Sequence, residues 1–553
     1  MKKRGRLNSV TGAGAAVETV AKPAAFTHRH ATILAIALVA IATVRIVLTY
    51  GALGYTYDEP AHLACGIEWL EKHTYTLEAQ HPPLARVMTA LLPRLFGARS
   101  AGRPSLWPEG LAILASTGHP DATLTQARLG TLPFFWIVCW IAFAWTRRIS
   151  SHAISAVAAI FLLTMTPAIL AHAGLATTDM GLTAMLLLAV YTGWLWIESP
   201  SLSRATFVGA ATGLALVTKF STLAFLPSIA IVALALWWYF ERPAPRTMAS
   251  FAAARTTQFG MAIAVASLVV WAAYRFSLGH TALGSFRVPA PEFFNGIQEV
   301  RDHNSRGNLT YLLGRVNTVG WPQFYAVALA VKAPLPLLAA GLAGLWLLRR
   351  RCLILAAVVL GILLFSSFFT NIRIGTRHVL PVFVAFAIAG GYTTTRLLDR
   401  ANAYARYALA ALALALAIPS LAAHPDYLGY FNLLAGSRPE AILVDSDLDW
   451  GQDVKRLGAR LREIGAPEVY FNQYAPGDLA AMYGFPPIRP LDPSAPRPGW
   501  NAVSLTALKY GLFADGRYAY EPGYEFWPDR VKPDERIGSG ILLFYAPPKP
   551  ASR

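Results

Sequence analysis

Long apolar segments separated by short polar loops occupy most of the chain. About twenty consecutive apolar residues are enough to cross a bilayer as a helix. Eleven segments fit this pattern, and they cover residues 31–50, 128–146, 152–171, 179–197, 205–218, 221–240, 257–275, 327–348, 352–370, 378–396 and 406–422. The fifth is short and is separated from the sixth by Lys219, and a span that stops within the membrane can line a cavity. The pattern predicts a polytopic α-helical membrane protein.

The hydrophobic pattern changes after residue 423, where the composition becomes that of a soluble protein. Residues 450–464 predict an amphipathic helix with Val454, Leu457, Leu461 and Ile464 on one face. Strands are predicted at residues 441–444, 469–471, 502–507 and 540–546. We therefore expect a small α/β domain over residues 424–553, with a βαβ unit at its start.

Basic residues predict the orientation, because short cytoplasmic loops are enriched in Lys and Arg. The basic clusters all fall on one side of the eleven spans, at Lys2 to Arg6, Arg147 and Arg148, Arg204, Arg242 to Arg255, Arg349 to Arg351, and Arg396 to Arg406. Residues 1–30 are then cytoplasmic, while the long loops 51–127 and 276–326 and the tail lie outside. We predict a multi-pass protein of a bacterial plasma membrane.

Composition agrees with this prediction. Of the 553 residues, 55% are hydrophobic and only 14% are charged. The net charge of +17 is compatible with nucleic-acid binding, but the basic residues form short clusters between spans and no long stripe with interleaved aromatics. The three cysteines do not form a disulfide framework, and we expect them to be structural.

Ten ionisable side chains lie near the predicted outer ends of the spans. They are Asp58, Glu59, His62, His81, Asp179, Lys219, Lys332, Arg373, Arg377 and His378. Charged groups at a membrane are costly unless they are paired or used, which makes this set a candidate functional site.

The acidic members of the set allow two interpretations. Asp58 and His62 are four residues apart, so on a helix they share a face, and Pro60 suits a first helical turn. Asp58 could therefore cap a helix, or it could take a proton from an attacking hydroxyl. Asp179 begins the fourth span and could likewise be a cap.

The basic members also allow two interpretations. Lys and Arg at span ends commonly anchor a helix at the interface. A group of cations on the outer side also suits an anionic lipid headgroup, most simply a phosphate or pyrophosphate.

The run from His81 to Leu84 contains two prolines and predicts a stiff turn that enters a short amphipathic helix, 84–95.

Other kinds of site find little support in the sequence. Asp445, Asp447 and Asp449 have the spacing of calcium ligands, but Trp450 and Arg456 stand where an EF-hand needs Gly and Glu. We expect these acids to lie at a helix N-terminus instead. No nucleotide-binding, zinc or nucleophile-elbow motif occurs in a suitable context, so no soluble nucleotide cofactor is implied.

Several of these motifs together resemble the GT-C class of integral membrane glycosyltransferases. The resemblance lies in the Asp58-Glu59 pair after the first span, the Pro-Pro-Leu turn, Thr177-Thr178-Asp179-Met180, Leu216-Val217-Thr218-Lys219, Lys332-Ala333-Pro334-Leu335, Arg377-His378-Val379-Leu380-Pro381 and the tail run from Leu443 to Asp453. The chain is most similar to the protein O-mannosyltransferase and lipid A aminoarabinose transferase group, and the resemblance covers nearly its whole length.

The resemblance implies a sugar donor linked to polyprenyl phosphate and an acceptor that is a protein, a lipid or a glycan. It implies that Asp58 is the catalytic carboxylate and that Glu59 supports it or contacts the acceptor. Lys219, Arg373 and Arg377 match positions near the donor phosphate, and Asp179 matches an acid that lines the cavity. Members of the group differ in their need for a divalent metal, so the resemblance assigns none.

The sequence departs from the group at two points. His81 stands where the aminoarabinose transferases have Lys, so a phosphate contact there would have a pH-dependent charge. Arg-His stands at Arg377-His378 where Arg-Tyr is usual. The main alternative function is a transporter or a flippase for lipid-linked sugars, although the two halves of the chain show no internal repeat. A third is a sensor whose tail binds a ligand.

Overall fold

The structure is a computed structural model that describes residues 27–242, 253–281, 284–348, 352–400, 402–512 and 526–548. The predicted basic clusters at Lys2 to Arg6 and Arg349 to Arg351, together with Arg246, lie outside these ranges.

Helices account for most of the described chain before residue 423. Seven of them are long and apolar enough to cross a membrane: His28–Leu48, Pro120–Ile149, Asp179–Glu198, Ser221–Glu241, Thr256–Ala273, Thr376–Leu398 and Ala403–Ala422. Two bent pairs bring the number to nine when each pair counts as one span: Ala153–Thr164 with Pro167–Ala173, and Phe324–Lys332 with Leu335–Leu348. The apolar helices Leu202–Leu216 and Leu353–Phe368 are shorter. Every predicted span thus coincides with a helix or bent pair, while the number of crossings stays a prediction.

Prolines stand at both bends. The pairs turn by 69° and 117°. Pro167 begins the second helix of the first pair, and Pro334 precedes the second helix of the other pair. A proline lacks the N–H that would continue the hydrogen-bond ladder of the preceding helix, so a break at these positions is expected.

The helix Leu380–Leu398 lies at the centre of the bundle and is buried along most of its length. Gly344 faces the backbone of Ala389, where a Cβ atom would collide, so a glycine is needed for this close approach. The helix Thr256–Ala273, by contrast, buries only Ala266 and Val270. Its apolar side chains face outward, as expected for a surface in contact with lipid tails.

The first long loop folds into the helices Glu59–Lys72, Pro83–Leu95 and Leu106–Ala115. The predicted helix 84–95 is therefore confirmed. The second long loop contains two short hairpins, β1 (Leu278–Thr281) with β2 (Gly284–Pro289) and β3 (Thr310–Leu312) with β4 (Arg315–Asn317), and the helix Pro291–Arg306 lies between them.

The tail contains a five-stranded mixed sheet made of β5 (Val469–Asn472), β6 (Ile488–Pro490), β7 (Gly499–Ser504), β8 (Glu535–Ile537) and β9 (Ile541–Ala546). The strand order is β6-β5-β7-β9-β8. Strand β5 pairs in parallel with β6 and β7, while β9 is antiparallel to β7 and β8. The described helices are Val454–Glu463, Leu479–Tyr483, Leu505–Tyr510 and Trp527–Arg530, and 3-10 turns cover Leu433–Ala435, Pro439–Ala441 and Asp445–Asp447.

The predictions for the tail are confirmed in part. The strands near 469–471 and 540–546 and the helix within 450–464 are present. The strand predicted at 441–444 is wrong, because Ala441 ends a 3-10 turn and the next residues bury Leu443 and Val444 without pairing in the sheet. The βαβ unit therefore lacks its first strand. The strand predicted at 502–507 ends at Ser504, whose hydroxyl caps the next helix by accepting from the N–H of Ala507.

Ion pairs lie at both ends of the bundle. At one end, Arg148 pairs with Glu198, and His152 lies 2.8 Å from Asp399. Asp58, Asp179, Lys219 and Arg377 lie at the other end, where the first loop and the tail also pack. Of the predicted basic clusters, the one at Arg147 and Arg148 thus lies at the end opposite the candidate site, and the orientation in the membrane stays a prediction.

Candidate functional site

Four of the predicted site residues form a single chain of ion pairs. Arg377 Nη1 donates to Asp58 Oδ2 at 2.6 Å, and Lys219 Nζ donates to Asp179 Oδ1 at 2.5 Å. Arg377 Nη1 also lies 3.7 Å from Asp179 Oδ2, which joins the two pairs. The four residues come from widely separated segments of the sequence, so the fold itself brings them together. We call this group the ion-pair chain.

Asp58 does not cap its helix. The helix Glu59–Lys72 begins immediately after it with Pro60 in the first turn, as predicted, but the Asp58 carboxylate makes no capping bond. The position of this turn is fixed from the tail, since Tyr57 N–H donates to the carbonyl of Trp450 and Gly54 N–H to that of Gln452. The carboxylate is therefore available to Arg377.

Asp179 and Lys219 are placed by the ends of apolar helices. Asp179 is the first residue of Asp179–Glu198, and no side chain caps that helix at Thr178. Lys219 lies in the break between Leu202–Leu216 and Ser221–Glu241, as the short fifth segment predicted. The Asp179 side chain is 1% exposed and that of Lys219 is 11% exposed, so the pair is almost fully removed from solvent.

Several buried polar atoms of the site have no hydrogen-bond partner among the described residues. Arg377 Nε, Asp179 Oδ2 and His172 Nδ1 are buried without a hydrogen-bond partner in the part of the chain that the structure describes. Asp58 is the most open member of the ion-pair chain, with 25% of its side chain exposed against 7% for Arg377. Because buried polar groups are nearly always bonded, these atoms are suited to contact a polar ligand.

The histidines of the first loop surround Arg86, which the sequence did not single out. Arg86 pairs with Glu78 and donates to His62 Nδ1 at 3.2 Å, and its Nη2 lies 3.3 Å from His81 Nδ1. A guanidinium only donates, so the bond from Arg86 Nε requires His62 Nδ1 to be unprotonated. His81 Nδ1 lies 3.3 Å from Glu78 Oε1 as well as from Arg86 Nη2, so its contacts fit either tautomer. Burial lowers the pKa of His81 to about 4 and the pKa of His62 well below its usual value. With this lowered pKa the His81 imidazole is neutral near pH 7, and its contact with a phosphate stays a prediction.

His378 follows Arg377 in the 3-10 turn Thr376–Val379. It lies close enough to Lys219, Asp179 and His81 to interact with them electrostatically. The predicted residues His62, His81 and His378 thus border the ion-pair chain.

Glu59, Lys332 and Arg373 lie outside the ion-pair chain. Glu59 forms a two-pronged pair with Arg128 at 2.8 Å and also accepts from the N–H groups of Thr56 and Ala176. Lys332 Nζ donates to the carbonyls of Leu428 and Asp447. Arg373 donates to the carbonyls of Ser366, Ser367 and Val319. We interpret all three as structural, and these contacts do not support the prediction that they meet a substrate.

Trp450 and His172 are further members of the site that sequence reasoning missed. The guanidinium carbon of Arg377 lies 4.2 Å from the centre of a Trp450 ring, and the His172 ring lies 6.4 Å from that of Trp450. Trp450 belongs to the tail run from Leu443 to Asp453 that carried part of the resemblance, so that motif was an available signal. His172 offered none, because a lone histidine in an apolar helix is usually structural.

Within the described ranges, no group of three or more His, Cys, Asp or Glu residues is arranged to hold a metal ion. The acids of the tail run are used by the protein: Asp445 accepts from Tyr474 and Tyr510, Asp447 from Thr376, and Asp449 from Ser504. The expectation that Asp445, Asp447 and Asp449 lie at the N-terminus of the tail helix is wrong, because that helix, Val454–Glu463, begins several residues later.

These features define a polytopic membrane protein with a polar site at one end of its helices. No protein-family model and no curated protein match the chain. Among solved structures, the apo form of ArnT from Cupriavidus metallidurans is similar over 86% of this chain and 93% of its own, at 16% identity and a TM-score of 0.50. The structure of the same protein bound to undecaprenyl phosphate is similar over 92% of this chain and 97% of its own, at 15% identity and a TM-score of 0.48. The apo oligosaccharyltransferase of Archaeoglobus fulgidus is similar over 73% of this chain and 55% of its own, at 14% identity and a TM-score of 0.42.

The likeness to apo ArnT, an aminoarabinose transferase, covers nearly the full length of both chains. At this level of identity it establishes the fold. The chain has the GT-C fold, as the sequence predicted.

Proposed function

We propose that the chain is a glycosyltransferase that moves a sugar from a polyprenyl-phosphate donor to a hydroxyl group at the extracytoplasmic face of a bacterial plasma membrane. The observation that carries this proposal is the ion-pair chain, in which the accessible carboxylate of Asp58 pairs with the buried Arg377, and Asp179 joins Arg377 to the buried Lys219. The shared fold with ArnT supports the class of reaction.

Asp58 is the proposed general base. Its Oδ2 is held by Arg377, and no described residue forms a hydrogen bond with its Oδ1. Oδ1 takes the proton of the acceptor hydroxyl while that oxygen attacks the anomeric carbon. The bond between this carbon and the phosphate oxygen breaks as the new bond forms on the opposite face, so the configuration inverts. The bonding electrons leave with the phosphate.

Arg377 and Lys219 are the proposed ligands of the departing phosphate. A buried guanidinium and ammonium stabilise the negative charge that grows on the phosphate oxygens as the bond breaks. Arg377 Nε is buried and unbonded among the described residues, so it can donate to a phosphate oxygen without first leaving another partner. A phosphate is a good leaving group, and no strong general acid is required.

The transport alternative has less support from the geometry. A transporter is expected to place its charged groups near the middle of the bilayer, between repeated halves. Here the ion-pair chain lies at one end of the bundle, and the opposite end has its own surface pairs, Arg148 with Glu198 and His152 with Asp399.

The substitution Asp58→Asn tests the proposal, because it keeps the size of the side chain and removes the base. In proteoliposomes with radiolabelled polyprenyl-phosphate sugar, we expect transfer to fall by about 10²- to 10⁴-fold, the usual contribution of a general base. The matched control is Asp121→Asn, since Asp121 is 54% exposed and pairs with Lys455 on the surface.

Both variants should fold and insert like the wild type. Near-normal turnover of Asp58→Asn would refute the assignment of the base. Movement of intact labelled donor across the bilayer, with no cleavage by the wild type, would instead establish transport.

A further inference from the structure

The tail residues Leu443 to Asp453 form a segment that packs directly against the ion-pair chain. We call it the tail motif. It joins the bundle to the helix Val454–Glu463, and most of its side chains are almost completely buried, including Asp445, Asp447, Asp449 and Trp450. A cluster of buried acids is costly unless each one is bonded, so its contacts show what the cluster holds in place.

The first contact is with the loop that carries Arg377. Thr376 donates to the Asp447 carboxylate from its hydroxyl at 2.6 Å and from its N–H at 3.2 Å. Ser446 Oγ donates to the carbonyl of Ile374 at 2.8 Å. A Cβ atom on Gly375 would collide with the Ser446 side chain, so this close approach needs a glycine there. The tail motif therefore fixes the backbone on both sides of Gly375.

The second contact is with the Arg377 side chain itself. Trp450 is 1% exposed, and its ring lies 4.2 Å from the guanidinium carbon. The backbone carbonyl of Trp450 accepts from the N–H of Tyr57 at 2.9 Å, one residue before Asp58. One tail residue thus contacts both the Arg377 side chain and the turn that carries the proposed base.

The tail motif is in turn anchored in the sheet domain. Asp449 accepts from Ser504 Oγ at 2.5 Å and from Thr506 N–H at 3.1 Å. Asp453 accepts from the N–H groups of Ser539 and Gly540. These bonds connect the motif to the ends of β7 and β9, so the sheet provides a rigid support for it.

From these contacts we propose that the tail is part of the donor site, and that Trp450 and Asp447 are positioning residues that orient Arg377 toward the phosphate of a lipid-linked sugar. The inference rests on the proposed function for the identity of the ligand. Trp450 attracts the charged guanidinium through its π face. Asp447 holds the turn from which the Arg377 side chain extends.

The first test replaces the ring. We expect Trp450→Ala to raise the donor KM by about 5- to 30-fold, the range of a desolvated cation–π contact, with a smaller change in kcat. Trp450→Phe keeps a π face and should restore most of the affinity. The control is Trp500→Ala on β7, because Trp500 packs against Tyr545 in the tail sheet. A donor KM of Trp450→Ala equal to that of Trp500→Ala, with wild-type transfer intact, would overturn the inference.

The second test needs no donor. In Thr376→Val the side chain keeps its size but loses the hydroxyl that donates to Asp447, and Thr376→Ser restores that hydroxyl. Hydrogen exchange of residues 374–379 should be faster in the valine variant by about 5-fold or more, as expected for the loss of a bond to a charged acceptor. Exchange in the serine variant should resemble the wild type.

The two tests separate the possible failures. If the wild type transfers no sugar, the proposed function fails, while faster exchange in Thr376→Val still supports the coupling between tail and loop. If exchange is the same in wild type and Thr376→Val, the tail does not hold the Arg377 loop and the inference is wrong. If Trp450→Ala does not fold, Trp450→Leu replaces it, because leucine keeps an apolar side chain and lacks the π face. A donor KM of Trp450→Leu equal to that of Trp450→Phe would then overturn the inference.

Discussion

Asp58 and Glu59 are neighbours in sequence, yet they belong to two different kinds of ion pair. Glu59 and Arg128 are each 1% exposed and are joined by two bonds of 2.8 Å. Asp58 is 25% exposed and is held by one bond to Arg377. The protein fills the bonding capacity of the first pair. In the second pair, Arg377 Nε has no hydrogen-bond partner among the described residues, and the described bond to Asp58 uses Oδ2 and not Oδ1.

The difference shows how to distinguish a structural pair from a functional one. Glu59 accepts four hydrogen bonds, and Arg128 also donates to the carbonyls of Leu53 and Gly54, so any ligand would have to displace a bond that the fold needs. At Asp58 a ligand adds bonds and breaks at most one. Spare capacity at an accessible position is therefore a better sign of function than charge alone.

The largest effect is expected at the structural pair. Glu59→Ala leaves Arg128 buried without its partner, which costs about 3–5 kcal/mol in comparable cases. We expect a large loss of thermal stability of the purified protein in detergent, accompanied by loss of activity. The control Glu71→Ala should cost below about 1 kcal/mol, because its partner Arg94 is 35% exposed and solvent weakens the pair. Wild-type stability of Glu59→Ala would show that the pair does not support the fold.

A smaller effect, on donor binding and not on stability, is expected at the pair of Asp58 and Arg377. Arg377→Lys keeps the charge but loses the fork of donors and the planar contact with Trp450. We expect donor affinity to fall by about 10- to 100-fold, the value of a hydrogen bond to a charged group, with little change in thermal stability. Binding of the labelled donor to the detergent-solubilised protein measures this directly.

The matched control for this prediction is Arg373→Lys. Sequence reasoning gave Arg373 the same role as Arg377, but its guanidinium donates to the carbonyls of Ser366, Ser367 and Val319. We therefore expect this variant to lose some stability and to keep its donor affinity. If Arg373→Lys weakens donor binding as much as Arg377→Lys does, spare bonding capacity fails as a criterion.

The sequence predicted most of the bundle and the four members of the ion-pair chain. Hydrophobic length identifies a membrane helix without knowledge of its neighbours, and a charge at the end of such a helix is conspicuous. The break at Lys219 and the helix after Pro83 were predictable for the same local reasons.

What the sequence did not predict depends on contacts between distant segments. The partner of Glu59 is 69 residues away, and the partner of Arg377 in the tail, Trp450, is 73 residues away. The strand expected at 441–444 failed because an apolar run can bury its side chains in a turn as well as in a sheet. Whether a charged residue has spare bonding capacity is likewise decided by the fold, so the sequence treated Arg373 and Arg377 alike.

The smallest effect is expected at His81, which borders the ion-pair chain. Its pKa is lowered to about 4 by burial, below the usual value of about 6.5. Between these values the unfolded chain binds more protons than the folded chain. The stability that comes from burying the neutral imidazole is therefore complete above about pH 6.5 and is lost as the pH falls toward 4. His81→Gln should remove this dependence.

The His81 side chain is 28% exposed, so solvent reduces the penalty, and we expect a difference of about 1 kcal/mol between wild type and variant at pH 5. Thermal melts from pH 5 to 8 measure it, with both curves normalised at pH 8. A wild-type curve that is steeper than that of His81→Gln below pH 6.5 agrees with a neutral histidine. A wild type that becomes more stable relative to the variant as the pH falls would mean that His81 gains a proton in the folded state and belongs with the cations of the donor site.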